Sequence, residues 1–290
     1  MAPALVAEGW LCRARLAESL GEPRPIQERG AILLTHPTQT KLQELKLNGM
    51  AKGLTDQRDS ELYAAMSFEE RLGLLVDREV TDRENRRLQT RLNGAKLRDT
   101  ACIEDLDFKH PRNLDRGLIQ QLTTCQWLKR AYNVFITGAT GVGKTYLACA
   151  LAQKACREGY DSLYLRSPLL FQDLAVAKGD GRYKKLLASY SKKRLLVLDD
   201  WGLAPLSDEQ RRDLLELVEE RHGRGSLIIV SQVPIERWHD SIGDPTLADA
   251  ILDRIIHNAY RIELKGETVR PHYVRQRAQR EGGDKAEHLE

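Results

Sequence analysis

The sequence predicts an α/β protein, a doubly wound parallel sheet preceded by a small all-α unit. Three observations carry this. Beyond about residue 130, short apolar runs alternate with helix-forming stretches, the pattern of parallel strands covered on both faces. One run, Val134-Phe135-Ile136, enters the turn Gly138-Ala139-Thr140-Gly141-Val142-Gly143-Lys144-Thr145, and a helix-forming run from Tyr146 to Ala152 leaves it. Residues 38–98, by contrast, carry apolar side chains at helical spacing.

The chain has 290 residues, enough for one good-sized core and a smaller unit. Its 45 Lys and Arg against 42 Asp and Glu leave a formal charge of only +3, so any polyanion surface must be local. A 30% charged and 6% aromatic composition suits a helix-rich protein with much solvated surface. No apolar run approaches the roughly 20 residues of a membrane span, and a membrane partner is not expected. Residues 1–34 hold Glu8, Arg13, Arg15 and Glu18 within their apolar stretch, which makes a poor signal peptide. Cys12, Cys102, Cys125, Cys149 and Cys156 are scattered, with no C-x-x-C pair, which argues against a zinc site or a disulfide framework and for a reduced cytoplasmic location.

Taken in order, residues 1–34 are interrupted by Gly21, Pro23, Pro25 and Gly30 and read as a disordered leader or an upstream extension. A helix is expected from Thr38, with Leu42, Leu45, Met50 and Leu54 on one face and an end near Gly53. A short helix follows over Asp56 to Met66. Ser67-Phe68-Glu69-Glu70 is a capping box for a long helix that breaks or bends before Gly94. Its basic end carries Arg83, Arg86, Arg87, Arg91, Lys96 and Arg98, a candidate surface for phosphate backbones without base readout. Residues 99–113 read as a linker with Pro111, and Leu114 to Leu128 as a helix. After the glycine turn come a strand at Ser162 to Leu165, a helix opened by Ser167-Pro168, and a shorter helix at Tyr183 to Tyr190. The wholly apolar Leu195 to Leu198 ends in Asp199-Asp200. A capping box at Ser207 to Gln210 starts the next helix, Leu227 to Val230 ends in Ser231, and a helix at Leu247 to His257 precedes a last strand at Tyr260 to Leu264. The tail from Arg275 is polar.

The turn fits G-x-x-x-x-G-K-[ST], in which backbone N–H groups and a helix N-terminus converge on a polyphosphate. Lys144 would reach the outer phosphates, and Thr145 would place its hydroxyl on Mg²⁺. Asp199, delivered to the C-terminal end of a buried strand, would share that metal. The neighbouring Asp200 would orient water or assist the metal. The spacing places the acid-bearing strand beside the strand ending in Ser231, and that strand beside the loop strand, so Ser231 would lie near the γ-phosphate.

Beyond these motifs, Leu195-Leu196-Val197-Leu198-Asp199-Asp200-Trp201-Gly202, Ala248-Asp249-Ala250-Ile251-Leu252-Asp253-Arg254 and the opening Thr35-His36-Pro37-Thr38 resemble the IstB family. These are ATP-dependent helpers of insertion-sequence transposases, of the AAA+ class and close to DnaC-type helicase loaders. The resemblance spans about Thr35 to Arg270. It implies a P-loop AAA+ domain over 99–272 behind a helical domain over 35–98, with a polar tail over 273–290. It implies a Walker A loop from Gly138 to Tyr146 for ATP and Mg²⁺, a Walker B pair Asp199 and Asp200, and Ser231 as the first sensor. Arg254 would be a finger facing a neighbouring subunit's nucleotide; its bland alternative is an ion pair with Asp249 or Asp253. Arg270 would be a second sensor, although the chain after it is short for a helical lid. The Asp at the position commonly held by Glu implies slow basal hydrolysis. The implied function is an ATP-dependent homo-oligomer on duplex target DNA that stimulates a transposase and hydrolyses ATP to reset. The alternative is a helicase loader on single-stranded DNA. Single-strand binders offer aromatic stacking platforms, and the stretch from Arg83 to Arg98 holds none.

Overall fold

The computed structural model describes residues 37–269. The expected leader, the tail and Arg270 lie outside the described residues. The chain divides into two units between Glu79 and Val80.

In the first unit, helix α1 (Pro37–Glu44) and helix α2 (Asn48–Asp59) replace the single helix expected from Thr38 to Gly53. The break falls where Lys46 takes a left-handed φ of 58°, a turn that no glycine or proline announces. Gly53 lies inside α2 rather than ending it. A Cβ on Gly49 would come 2.6 Å from the Glu79 Cα, and one on Gly53 would come 2.8 Å from Leu75 Cδ2. These glycines, one turn apart, therefore let α2 approach the start of helix α3 (Phe68–Ala95). Glu79, itself buried, accepts from Gly49 N at 2.7 Å and Met50 N at 3.2 Å. A carboxylate there satisfies two N–H groups of the first turn and meets the positive helix end. The capping box forms as expected: Ser67 N donates to Glu70 Oε2 at 2.8 Å, and Glu70 N donates to Ser67 Oγ at 3.3 Å. α3 passes Gly94 as helix and ends at Ala95, where Lys96 turns the chain with φ 50°.

The second unit is a five-stranded, wholly parallel sheet in the order β2-β3-β4-β1-β5. Its strands are β1 (Asn133–Gly138), β2 (Ser162–Arg166), β3 (Leu195–Trp201), β4 (Ser226–Ser231) and β5 (Ala259–Leu264). β4 lies between the loop strand and the acid-bearing strand, as the spacing predicts. Alternation decides the two faces. Val134, Ile136, Val197 and Ile228 join one core with α4 (Arg116–Thr123) and α6 (Lys144–Arg157), to which the short α5 (Gln126–Lys129) also adds Trp127 and Leu128. Phe135, Leu196, Leu198 and Ile229 join the other core. That face is covered by α7 (Ser167–Gly179), α8 (Tyr183–Ser191), α9 (Asp208–Arg221), α10 (Trp238–Ile242) and α11 (Pro245–Ile256). Burial on both faces explains why the strands read as unbroken apolar runs.

Residues 99–113 differ from a linker. Ala101 and Leu106 are buried in the first of these cores, and Arg112 is 1% exposed. The Arg112 guanidinium donates to Asp107 O at 3.1 Å and to Val142 O at 3.4 Å. The stretch lacks a period because it packs as irregular chain and one short 3₁₀ turn, Ile103–Asp105.

Candidate active site

β1 ends at Gly138 with φ 141°, where a Cβ would come 2.1 Å from the Leu264 carbonyl oxygen on the neighbouring β5. Gly141 has φ 90°, and a Cβ there would meet Thr268 Oγ1 at 2.4 Å. Gly143, with φ 91°, caps α6. These are left-handed positions where a side chain costs energy and where the space is taken as well. The turn is held from behind: Val269 N donates to Gly141 O at 3.0 Å, and Val142 turns its side chain into the core. Ala139 and Thr140 are exposed at the tip, and Tyr146 is half-buried against the core. The outcome is a glycine turn at the C-terminal sheet edge, leading into the positive end of a 14-residue helix.

Lys144 lays its amine back over the turn, donating to Gly138 O at 2.8 Å and Ala139 O at 2.7 Å. Thr145 Oγ1 donates to Asp199 Oδ2 at 2.8 Å, joining residues 54 apart in sequence. Asp199 is buried, and its Oδ2 also accepts from the Tyr164 hydroxyl at 2.6 Å. Burial, then the bond to Asp199, pushes the Tyr164 hydroxyl far above its ordinary pKa, so it stays a donor. The register of β3 against β4 slips between Leu198 and Trp201, and Asp200 takes a left-handed φ of 59°. A bulge of this kind re-aims side chains beside a site. It lets Asp200 N donate to Asp199 Oδ1 at 2.8 Å while the Asp200 carboxylate accepts from Arg166 Nε at 2.6 Å.

The hard oxygens of Thr145 and Asp199 suit Mg²⁺, which takes one or two protein ligands together with substrate phosphates. Among the described residues, no cluster of three or more His, Cys, Asp or Glu could hold a metal on its own.

Ser231 is 1% exposed, and its hydroxyl is committed to the Trp201 carbonyl at 2.8 Å while accepting from Val233 N at 2.9 Å. The next residue, Gln232, accepts from Thr140 Oγ1 at 2.6 Å. Gln232 therefore touches the turn. Arg254 lies elsewhere. Its guanidinium donates to Ala250 O at 2.6 Å and pairs with Glu219 at 3.0 Å, not with Asp249 or Asp253. The adjacent Ile255 O accepts from the Asn133 side chain at 2.8 Å, at the start of β1. Arg254 thus lies at the end of the sheet away from its own glycine turn. Of the basic set, Arg86 pairs with Asp82, and Arg91 donates to the Cys156 carbonyl at 3.3 Å. Arg98 hydrogen-bonds Tyr164, and Arg83, Arg87 and Lys96 are exposed. The sequence reading did not single out Tyr164, Arg166 or Gln232. Tyr164 and Arg166 read as ordinary strand residues, and only Gln232 carried a signal, as a polar residue at a strand end.

This strand order, with a glycine turn after β1 and an acid pair after β3, defines a P-loop protein of the AAA+ class. Solved structures of the same fold include DnaI, with a TM-score of 0.50 at 23% identity over 57% of this chain and 92% of that one. A DNA replication initiation factor also gives a TM-score of 0.50, at 19% identity over 64% of this chain and 56% of that one. The chain belongs to the IstB-like ATP binding protein family, whose model matches residues 40–278. A putative insertion sequence ATP-binding protein, y4pL of Sinorhizobium fredii (strain NBRC 101917 / NGR234), is 49% identical over 238 residues, 82% of this chain and 97% of that protein. The IS21 putative ATP-binding protein of Pseudomonas aeruginosa is 30% identical over 235 residues, 81% of this chain and 89% of its own.

Proposed function

We propose that this protein is a cytoplasmic ATPase that assembles with ATP on duplex target DNA, engages and stimulates a transposase, and resets by hydrolysis. The observation that carries the reading is the 2.8 Å contact of Thr145 with Asp199 at the mouth of the glycine turn. Lys144 exchanges its two turn carbonyls for the outer phosphates of ATP, and backbone N–H groups from Ala139 to Tyr146 line the polyphosphate. Thr145 and Asp199 hold Mg²⁺, which neutralises charge on the phosphate oxygens. Asp200, released from Arg166, orients the attacking water. Gln232, already on Thr140, reads the γ-phosphate side of the turn, and Ser231 fixes the strand end that presents it.

Arg254 serves a neighbouring subunit, since it lies away from its own turn. Leaving Glu219 for a γ-phosphoryl group in trans would supply the charge stabilisation that such fingers provide, about 10³–10⁵ in rate. ATP therefore favours the homo-oligomer. The duplex runs along basic side chains that include Arg83, Arg87 and Lys96, with no base readout. The insertion-sequence relatives point to a transposase as the protein partner.

The test is fluorescence polarisation of labelled duplex and single-stranded DNA with ATP, with ADP and with Lys144→Ala, across a salt series. The expected result is duplex binding that needs ATP, is lost in Lys144→Ala and weakens steeply with salt. Binding to neither form in any nucleotide state overturns the reading, and a preference for single strands replaces it with a helicase loader.

A further inference from the structure

We infer that Tyr164 and Arg98 are positioning residues for Asp199, and that they wire the basic end of α3 to the metal-holding carboxylate. The inference rests on the proposed function, in which Asp199 holds Mg²⁺ beside ATP and the basic stretch meets DNA phosphates.

The direction of the chain follows from donor chemistry. A guanidinium only donates, and a tyrosine hydroxyl has one proton. With Arg98 hydrogen-bonded to Tyr164, the Tyr164 oxygen accepts from Arg98 and its proton goes to Asp199 Oδ2 at 2.6 Å. The same Oδ2 accepts from Thr145 at 2.8 Å, and Oδ1 accepts from Asp200 N at 2.8 Å. Asp199, 2% exposed, is therefore gripped on both oxygens, and one grip leads through a buried phenol to a cation at the surface.

The backbone around that cation is fixed. Ala95 and Ala101, on either side of it, are fully buried, and the backbone of Arg98 and Asp99 hydrogen-bonds the Cys149 sulfur on α6, the helix of the glycine turn. Only the Arg98 side chain reaches outward. Its five N–H donors exceed what one phenol oxygen uses. A backbone phosphate docking there shares the guanidinium, weakens its hold on Tyr164 and so changes how firmly Asp199 is aimed. Partners of a ligand carboxylate typically alter metal affinity by about 10–100-fold.

The experiment measures affinity for a fluorescent ATP analogue during a Mg²⁺ titration and in EDTA, for the native protein, Tyr164→Phe, Arg98→Gln and Arg98→Lys. The expected result is a Mg²⁺ requirement about tenfold higher in Tyr164→Phe and Arg98→Gln, with affinity in EDTA within about twofold of native. Arg98→Lys, which keeps a donor, recovers part of the shift. Adding duplex DNA moves the Mg²⁺ requirement of the native protein and leaves that of Tyr164→Phe in place. A Mg²⁺ requirement unmoved by Tyr164→Phe, with binding intact, overturns this inference alone. An equal loss in EDTA overturns it in favour of a packing role. Should Tyr164→Phe unfold by circular dichroism, Arg98→Gln, altered at an exposed residue, decides in its place. Native protein that binds no nucleotide in any condition overturns the proposed function as well.

Discussion

The two ends of the parallel sheet use the same device for opposite purposes. At the C-terminal end, Lys144 donates to two backbone carbonyls of the glycine turn. At the N-terminal end, Arg221 donates to Tyr190 O at 2.8 Å, Lys193 O at 2.9 Å and Ser226 O at 2.7 Å. Those three bonds knit α8, the start of β3 and the start of β4. Arg221 is 1% exposed, and burial, helped by the nearby Arg194, lowers its pKa to about 10. It is still a cation at neutral pH and cannot leave its carbonyls without stranding them. Lys144 lies on a turn bent through left-handed glycines beside the exposed Ala139 and Thr140, so a polyphosphate can replace its carbonyls. A cation on carbonyls is structural when the carbonyls have no other donor, and functional when an anion can take their place.

Cutting each cation tests this contrast most directly. Lys144→Ala should lower ATP hydrolysis by about 10²–10³-fold, the scale for removing one donor to developing charge, and leave the thermal midpoint within a few degrees; steady-state phosphate release and a melt check both. Arg221→Ala should cost roughly 3 kcal/mol of stability, since it leaves several buried carbonyls unpaired. Urea unfolding would read this, and a loss under about 0.5 kcal/mol would erase the contrast. At the turn itself, Gln232→Ala should slow hydrolysis by about tenfold with little change in stability, because it removes a polar contact without burying an unpaired group. Ser231→Ala should act mainly on stability, through the Trp201 carbonyl it leaves unpaired. The smallest effect is expected away from both ends: Ser207→Ala removes the capping box of α9 and should cost about 1 kcal/mol, with hydrolysis unchanged.

What was legible in the sequence is what is local in the chain. The strand, glycine turn and helix around Lys144 are contiguous, and the acids end a run whose burial on both faces makes it wholly apolar. The Thr145–Asp199 contact follows from those two motifs once the strands are ordered. The rest depends on residues that meet only in three dimensions. Tyr164 alternates within β2 like any core aromatic, and only the neighbouring Asp199 makes its hydroxyl matter. Arg98 reads as one charge among six. Gly49 and Gly53 read as helix punctuation because glycine is the usual stop signal, whereas here they make room for α3. Arg112 sat in a stretch without period, and nothing in its neighbours announces burial beneath the turn.

The strand order also bears on how the site comes into being during translation. The loop strand β1 is made first, yet its two partners, β4 and β5, are the last strands to leave the ribosome. β2 and β3 pair only with each other until β4 arrives. The glycine turn is thus synthesised early and waits, without a sheet to aim it, until the chain through Leu264 has emerged. Ribosome-stalled chains ending before β4 should therefore fail to be retained on immobilised ATP. Nucleotide affinity then works as a proofreading mark, carried only by chains read far enough to be useful.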